Sequence, residues 1–181
     1  MTGPLQLRSF RTEEVEGALR NAIINVCIAA HQEPDFKNLF SYVPSGGLHF
    51  LAFHEGQLAS HALVTTRWLQ PGGSALLRTA YVDAVATSPA YQGQGHGSVL
   101  MRHLASTVDA EYQIACLETD REGFYERLGW QTWRGPLAGR SEQGLVPTPE
   151  QTGIMVLRLS RTPALDLHST LTIECQPGRI W

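Results

Sequence analysis

Residues 92–98, Gln-Gly-Gln-Gly-His-Gly-Ser, place glycine at every second position (Gly93, Gly95, Gly97), between a β-branched, aromatic segment and an apolar-periodic one. Glycine costs backbone entropy, so such a cluster answers either to a turn that needs positive φ or to something that must approach the main chain closely. Set between a strand ending near Thr87 and an amphipathic helix, the stretch would present amides that lack intrahelical partners, at the positive end of the helix dipole. That is chemistry suited to an anion, and a pyrophosphate could lie directly on a glycine-lined backbone. The competing reading is a flexible turn with no ligand. The run is Gly-x-Gly-x-Gly rather than GxGxxG and has no Gly-Lys-Ser/Thr, so neither a dinucleotide fold nor a P-loop is indicated.

Asp83, within "AYVDAVA", is the second residue that asks for an explanation. A carboxylate on a mostly apolar strand is costly if buried and unpaired, so it either faces outward on the alternating strand or has a task such as proton abstraction. Other chemistries are disfavoured. The three cysteines (Cys27, Cys116, Cys175) have no CxxC spacing, and the seven histidines show no HExxH, so neither a zinc site nor a disulfide framework is expected. Cys116 has no His–Asp partner pattern to make it a nucleophile, which leaves inert burial as its default. His54 and His61 fall on or beside strands, where hydrogen-bonded structural roles are expected.

The elements that must position these groups read as follows. Residues 12–30 are expected to form a helix capped by Thr12, with Val15, Leu19, Ile23, Val26 and Ala30 on one stripe. "LHFLAF" (48–53) and "QLASHALVTTRWL" (57–69) flank "HEGQ" as a hairpin, and "QPGG" turns the chain into the strand 74–89. After the glycines, Val99, Leu100, Leu104 and Val108 line one helical face. Residues 112–119 read as a strand, and 121–130 as a short helix ended by Gly129. "WQTWRG" and "GIMVLRLS" (153–160) read as late strands, 135–152 as a Gly/Pro-rich connection, and 161–181 as a tail. Trp68, Trp130 and Trp133 are expected in the core or a pocket wall. The order implies an α+β, mixed α/β fold, with a single domain over residues 1–181.

Whole-chain properties agree. The 181 residues are 43% hydrophobic and 17% charged, as in globular proteins. A net charge of −3 without a basic run argues against a nucleic-acid partner. "MTGPLQLRSF" lacks a signal-peptide core and no 18-residue apolar run occurs, so a cytoplasmic protein without a membrane partner is expected.

"VATSPAYQGQGHGSVLMRHL" resembles the acetyl-CoA signature of the GCN5-related N-acetyltransferases (GNAT), Gln/Arg-x-x-Gly-x-Gly/Ala, with Gln92, Gly95 and Gly97 in its fixed places. "FYERLGW", following a strand downstream, is similar to the family's Tyr-x-x-x-Gly-Trp/Phe helix. "YVDAVA", "YERLGWQTWRGP" and the Gly178-x-x-Trp181 ending look like the aminoglycoside 2′-N-acetyltransferases within that family, with a weaker match at "PDF" (34–36). The resemblance implies the GNAT fold, a central mostly antiparallel sheet splayed at the acetyl-CoA site and flanked by helices.

It also implies roles. The amides of Gln92, Gly93, Gln94, Gly95, His96, Gly97 and Ser98 would hold the coenzyme pyrophosphate. The strand at Val85, Ala86 and Thr87 would pair with the pantetheine arm, and the Val85 N–H would polarise the acetyl carbonyl. Tyr125 would protonate the leaving thiolate, and Asp83 would act as base through water, standing where the family carries a glutamate. Asp35, Asp83, Glu118 and Trp181, through its α-carboxylate, would meet the acceptor amine.

Two departures bear on that acceptor. Phe40 and Arg179 stand where the family places acids, and an aminoglycoside with several ammonium groups needs several carboxylates. Glu118, Asp120, Glu142, Glu150 and Glu174 are the acids available to compensate. The expected acceptor is therefore less basic than tobramycin or gentamicin, for example kasugamycin, with antibiotic resistance as the outcome. The alternatives are another small amine or a peptide terminus, or a non-catalytic acyl-CoA sensor. A homodimer through "GIMVLRLS" and the apolar tail is expected, and no metal.

Overall fold

The computed structural model describes residues 4–181. The chain runs β1 (Gln6–Arg11), a 3₁₀ turn (Thr12–Glu14), α1 (Gly17–His31), a 3₁₀ segment (Pro34–Asn38), α2 (Leu39–Tyr42), β2 (Leu48–His54), β3 (Gln57–Pro71) and β4 (Leu77–Thr87). A 3₁₀ turn (Pro89–Tyr91), α3 (His96–Val108), β5 (Ile114–Glu118) and α4 (Glu122–Glu126) follow. The chain ends with β6 (Gln131–Thr132), β7 (Leu137–Ser141), β8 (Gly144–Pro147), β9 (Ile154–Arg158) and β10 (Leu171–Glu174). These form two compact units: one takes the chain up to Thr65 together with Val82–Ser106, the other Thr66–Tyr81 with Thr107–Trp181. β3 and β4 thus contribute residues to both.

In the first unit the "HEGQ" connection is the tight hairpin its residues imply. Glu55 (φ 48°) and Gly56 (φ 78°) are both left-handed, and β2 pairs antiparallel with β3. β1 adds antiparallel to β2 from Gln6 opposite Phe53 to Arg11 opposite Leu48. Val15, Ile23, Val26, Cys27, Leu39, Leu51, Leu58 and Ala86 form the core that buries one face of α1. The expected helix start at Thr12 is corrected. Thr12 opens a 3₁₀ turn, its hydroxyl engages Gly47 O and His49 Nε2 at 3.2 Å each, and α1 begins only at Gly17. On α3 the expected stripe holds for Leu100, Leu104 and Val108, but Val99 is 41% exposed; Met101 takes its place in the core.

In the second unit the strand order is β6-β9-β5-β4-β3-β10-β7-β8. Among the paired strands with a recorded register, β4 with β5 and β10 with β7 are parallel; β5–β9, β6–β9, β10–β3 and β7–β8 are antiparallel. This is the mixed, mostly antiparallel sheet that the sequence implies. Leu69, Leu77, Tyr81, Ile114, Cys116, Trp133, Ile154, Val156, Leu171, Ile173 and Trp181 make its core. Trp130 and Trp133 are buried as expected, whereas Trp68 is 42% exposed on β3.

The 161–181 segment is no loose tail, because a buried arginine ties it down. Arg67 is 1% exposed, and its Nε bonds Glu174 Oε1 at 2.9 Å. Its Nη2 donates to Glu174 O at 2.5 Å and Ile180 O at 2.7 Å. Arg67 also lies over the Tyr81 ring, 5.1 Å from its centroid. β9 is flanked on both sides, by β5 and β6.

Gly153 marks a close crossing in this unit. Its φ is +71°, and a Cβ there would stand 2.0 Å from Thr119 O, whose own residue donates its N–H to Gly153 O at 2.9 Å. Gly153→Ala is expected to cost at least about 2 kcal/mol, through both the φ and the clash. In a chain of this size that lowers the melting temperature by roughly 4–8 °C; an unchanged thermal transition would contradict the crossing.

Candidate active site

The glycine question has a split answer. Gly93 (φ 77°) and Gly95 (φ 82°) occupy left-handed backbone between the 3₁₀ turn and α3, whereas Gly97 lies in the first turn of the helix and has no positive φ. Nothing lies within 4 Å of where a Cβ would stand at Gly93 or Gly95. Internal packing therefore does not explain those two glycines, while the turn geometry does. Two glutamines tie the loop to the preceding turn, Gln92 Nε2 to Thr87 O at 3.0 Å and Gln94 Nε2 to Ala90 O at 3.1 Å. The first helical bond runs from Val99 N to Gly95 O at 3.0 Å, so the amides of His96, Gly97 and Ser98 precede the helical ladder. Such a cradle fits a pyrophosphate. The His96 ring lies beside His54 and Tyr91, and burial and the nearby His54 hold it below the ordinary imidazole range.

β4 arrives at this loop with a break. Ala84 has φ 49°, a left-handed conformation that costs a non-glycine residue about 1–2 kcal/mol. The break is compensated at its carbonyl: His61 Nδ1 lies 2.8 Å from Ala84 O, and the Cys27 thiol donates to the same oxygen at 3.9 Å. Half-buried Asp83 and Val85 flank Ala84; Ala86 is buried and Thr87 half-buried. Further along, Thr87 Oγ1 lies 2.9 Å from Ser60 Oγ, and Ser88 N–H donates to Ala59 O at 2.8 Å. Asp83, Val85–Thr87 and Gln92–Ser98 all belong to the first unit.

Asp35 also lies in that unit, exposed on the 3₁₀ segment 34–38. Phe40, where an acid was looked for, stacks on His49 with ring centroids 5.3 Å apart, and the Arg20 guanidinium lies 4.5 Å from the Phe40 ring centroid.

Behind Ala84 lies a polar chain that the sequence reading left undefined. His61 Nε2 meets His49 Nδ1 at 2.9 Å, and both rings are fully buried. Burial pushes His49 down to about 4; His61 falls to about 3 through burial first and then the charge of His49. Burial raises the Cys27 thiol to about 12, so it stays a donor and no nucleophile.

The remaining expected residues belong to the second unit. Tyr125 on α4 is 7% exposed, with its ring edge-on to Phe124 and Trp130. Burial raises its phenol to about 12, so it keeps its proton at neutral pH, as an acid must. Glu118 is exposed at the end of β5 and accepts from Gln151 Nε2 at 2.8 Å. Trp181 is buried and its indole N–H donates to Thr148 Oγ1 at 3.0 Å. Arg179 stands 5.0 Å over the Tyr81 ring, and its Nε donates to the Trp181 main-chain oxygen at 2.5 Å. A cavity of about 410 Å³ opens in this unit, lined by Trp133, Leu137, Thr148 and Thr152 among others; Glu122 is the one carboxylate in its lining and Arg134 the one cation. Among the described residues no group of three or more His, Cys, Asp or Glu could hold a metal, and no helix is long and apolar enough to cross a membrane.

The comparisons with known proteins agree with this architecture. Residues 6–133 match the acetyltransferase (GNAT) domain family. The chain is 30% identical over 179 residues to the aminoglycoside 2′-N-acetyltransferase of Mycolicibacterium fortuitum, covering 96% of this chain and 91% of that one. The chain belongs to the GNAT acetyltransferase family.

Among solved structures it is similar in fold to the Escherichia coli GNAT protein YhbS, solved in complex with CoA (TM-score 0.64, 14% identity, 96% of this chain, 92% of that one). A GCN5-related N-acetyltransferase from Kribbella flavida matches with a TM-score of 0.57 and 19% identity over 72% of this chain; the match spans about a third, 34%, of that protein's length.

The paired histidines make stability depend on pH above the carboxylate range. In the unfolded chain each imidazole protonates near 6.5, while the folded ones resist until about 4 and about 3. Their contribution is therefore complete above pH 6.5 and is lost as pH falls, each by up to about 1.4 kcal/mol per pH unit. Denaturant titrations should lose up to about 4 kcal/mol between pH 6.5 and 5; constant stability over that interval would show the rings charged or exposed.

Proposed function

We propose that the chain is one acetyltransferase domain over residues 1–181 that transfers the acetyl group of acetyl-CoA to the 2′-amine of an aminoglycoside-like compound. The left-handed Gly93–Gly95 cradle ahead of α3 carries the donor half of this reading. In the family reaction the coenzyme supplies an activated thioester. The amides of Gln92–Ser98 hold its diphosphate, Val85–Thr87 pair with the pantetheine arm, and the Val85 N–H faces the negative charge that grows on the acetyl oxygen. Asp83 takes the ammonium proton through water, and the amine attacks the thioester directly in a ternary complex. Tyr125, protonated at neutral pH, gives a proton to the departing thiolate as the C–S bond breaks, and the second proton lost by the attacking nitrogen restores the phenol.

The acceptor half rests on the relative from M. fortuitum and on charge. Arg179 is engaged with Tyr81 and Trp181, and Phe40 is in contact with His49 and Arg20, so the two positions where acids would meet a polycation carry none. This favours an acceptor with fewer ammonium groups, kasugamycin rather than tobramycin, bound by Asp35, Asp83, Glu118 and Trp181. Inactivation of such a drug would give resistance in the cytoplasm, and the enzyme would work as a homodimer. The second reading, acetylation of another small amine or a peptide terminus, is separated by profiling acceptors with a free-thiol assay and mass spectrometry of the product. A non-catalytic acyl-CoA sensor would release no thiol with any acceptor.

Two outcomes are expected. Kasugamycin should be acetylated with a higher kcat/KM than tobramycin; the reverse order would overturn the charge argument. Tyr125→Phe should lower kcat about 100-fold while leaving CoA affinity unchanged by calorimetry; an unchanged kcat would remove the tyrosine from proton transfer.

A further inference from the structure

The polar chain Thr12–His49–His61–Cys27 lies among the core of the first unit, yet it ends on one particular peptide group. Ala84 O is a pure acceptor. The ring nitrogen that faces it at 2.8 Å, His61 Nδ1, must therefore carry the hydrogen. A neutral imidazole has one hydrogen, so His61 Nε2 is a lone pair and must accept from His49 Nδ1–H at 2.9 Å. His49 Nε2 is then a lone pair in its turn; Thr12 Oγ1 stands 3.2 Å from it and 3.2 Å from Gly47 O, with one hydrogen for the two acceptors. One carbonyl thus sets the direction of the bonds from His49 through His61 to Ala84 and fixes both rings as Nδ1–H tautomers. The Cys27 S–H supplies a second donor to the same carbonyl.

The opposite end of that peptide group is the Val85 N–H. Among the described residues no peptide bond is cis, so Ala84 C=O and Val85 N–H lie in one plane and point in opposite directions. A carbonyl held inward by His61 and Cys27 turns the Val85 N–H the other way. Donation to the carbonyl also draws electron density through the amide, which makes the N–H a stronger donor.

We propose that His61, backed by His49 and Cys27, is a positioning residue for acetyl transfer: it orients and polarises the Ala84–Val85 peptide so that the Val85 N–H is pre-set for the developing oxyanion. The inference rests on the acetyl-transfer reading above and adds a role for side chains that touch neither substrate. The contribution has the character of electrostatic preorganisation, in which the donor is aimed before the charge appears.

The test uses full-length protein and a non-reactive ketone analogue of the donor, acetonyl-CoA labelled with ¹³C at its carbonyl. On binding to the wild type, the carbonyl stretch should move to lower frequency than in water. His61→Leu should lose at least half of that displacement and lower kcat about 10- to 100-fold with CoA affinity retained. His61→Asn, whose Nδ2 reproduces the Nδ1 donor, should restore most of both.

An equal carbonyl frequency in wild type and His61→Leu, both binding the analogue, would overturn this role and leave the acetyltransferase reading standing. Failure of the wild type to bind the analogue would remove both. Should His61→Leu not fold, ¹⁵N imidazole NMR of the wild type decides without a variant: His61 and His49 should both be neutral Nδ1–H tautomers, and an Nε2–H signature for His61 would refute the proposal.

Discussion

Two donors on one carbonyl hold the first unit's chemistry in place. Ala84 adopts a backbone conformation that L-residues with a Cβ avoid, and it does so in mid-strand, where neither a turn nor a glycine helps. The bonds from His61 and Cys27 to its oxygen offset that cost. Because β3 and α1 supply those donors, the break in β4 is fixed by two separate elements of the core. From this kink onward Val85, Ala86 and Thr87 lead directly into the 3₁₀ turn and the glycine loop. The proposed oxyanion donor, pantetheine edge and pyrophosphate cradle thus follow one another along Val85–Ser98.

The two buried imidazoles are an expensive way to hold a carbonyl. Uncharged polar groups can be buried at modest net cost only when donors and acceptors are matched, and here the matching runs from His49 through His61 to Ala84. A leucine pair of similar volume would avoid the acid sensitivity but would leave the Ala84 oxygen with the weak thiol donor alone. The second unit uses a buried polar group differently. Arg67 pairs with Glu174 and gathers carbonyls of the last segment, so its charge serves anchoring. These contrasting uses account for most of the charged and imidazole side chains hidden from solvent.

Much of this was legible in the sequence where local chemistry decides the outcome. The hairpin at Glu55–Gly56, the strand ending at Thr87 and the positive-φ glycines followed from turn requirements. β1, β7, β8 and β10 were missed because "LQLRSF", "LAGRS", "GLVP" and "LTIE" are short and carry polar, glycine or proline positions. Their strand character comes from partners distant in sequence, such as Leu171 opposite Leu137. The histidine pair was hidden for a sharper reason. Continuing the register of the tight hairpin would set His49 opposite Ala62 and turn His61 to the other face of the sheet. A β-bulge between Ala52 and Phe53 shifts the ladder so that His49 opposes Leu63, which brings His61 onto the same face as a diagonal neighbour. No pattern in the residues announces that shift.

The central claim is that the main chain of β4 beyond Ala84 and the amides before α3 together form the coenzyme-binding edge. It is tested most directly by titrating uniformly ¹⁵N-labelled protein with CoA and following the backbone amides. The account predicts the largest perturbations at Val85–Thr87 and Gly93–Ser98, with those residues leading every other segment. Saturable CoA binding that leaves both stretches unperturbed would contradict it.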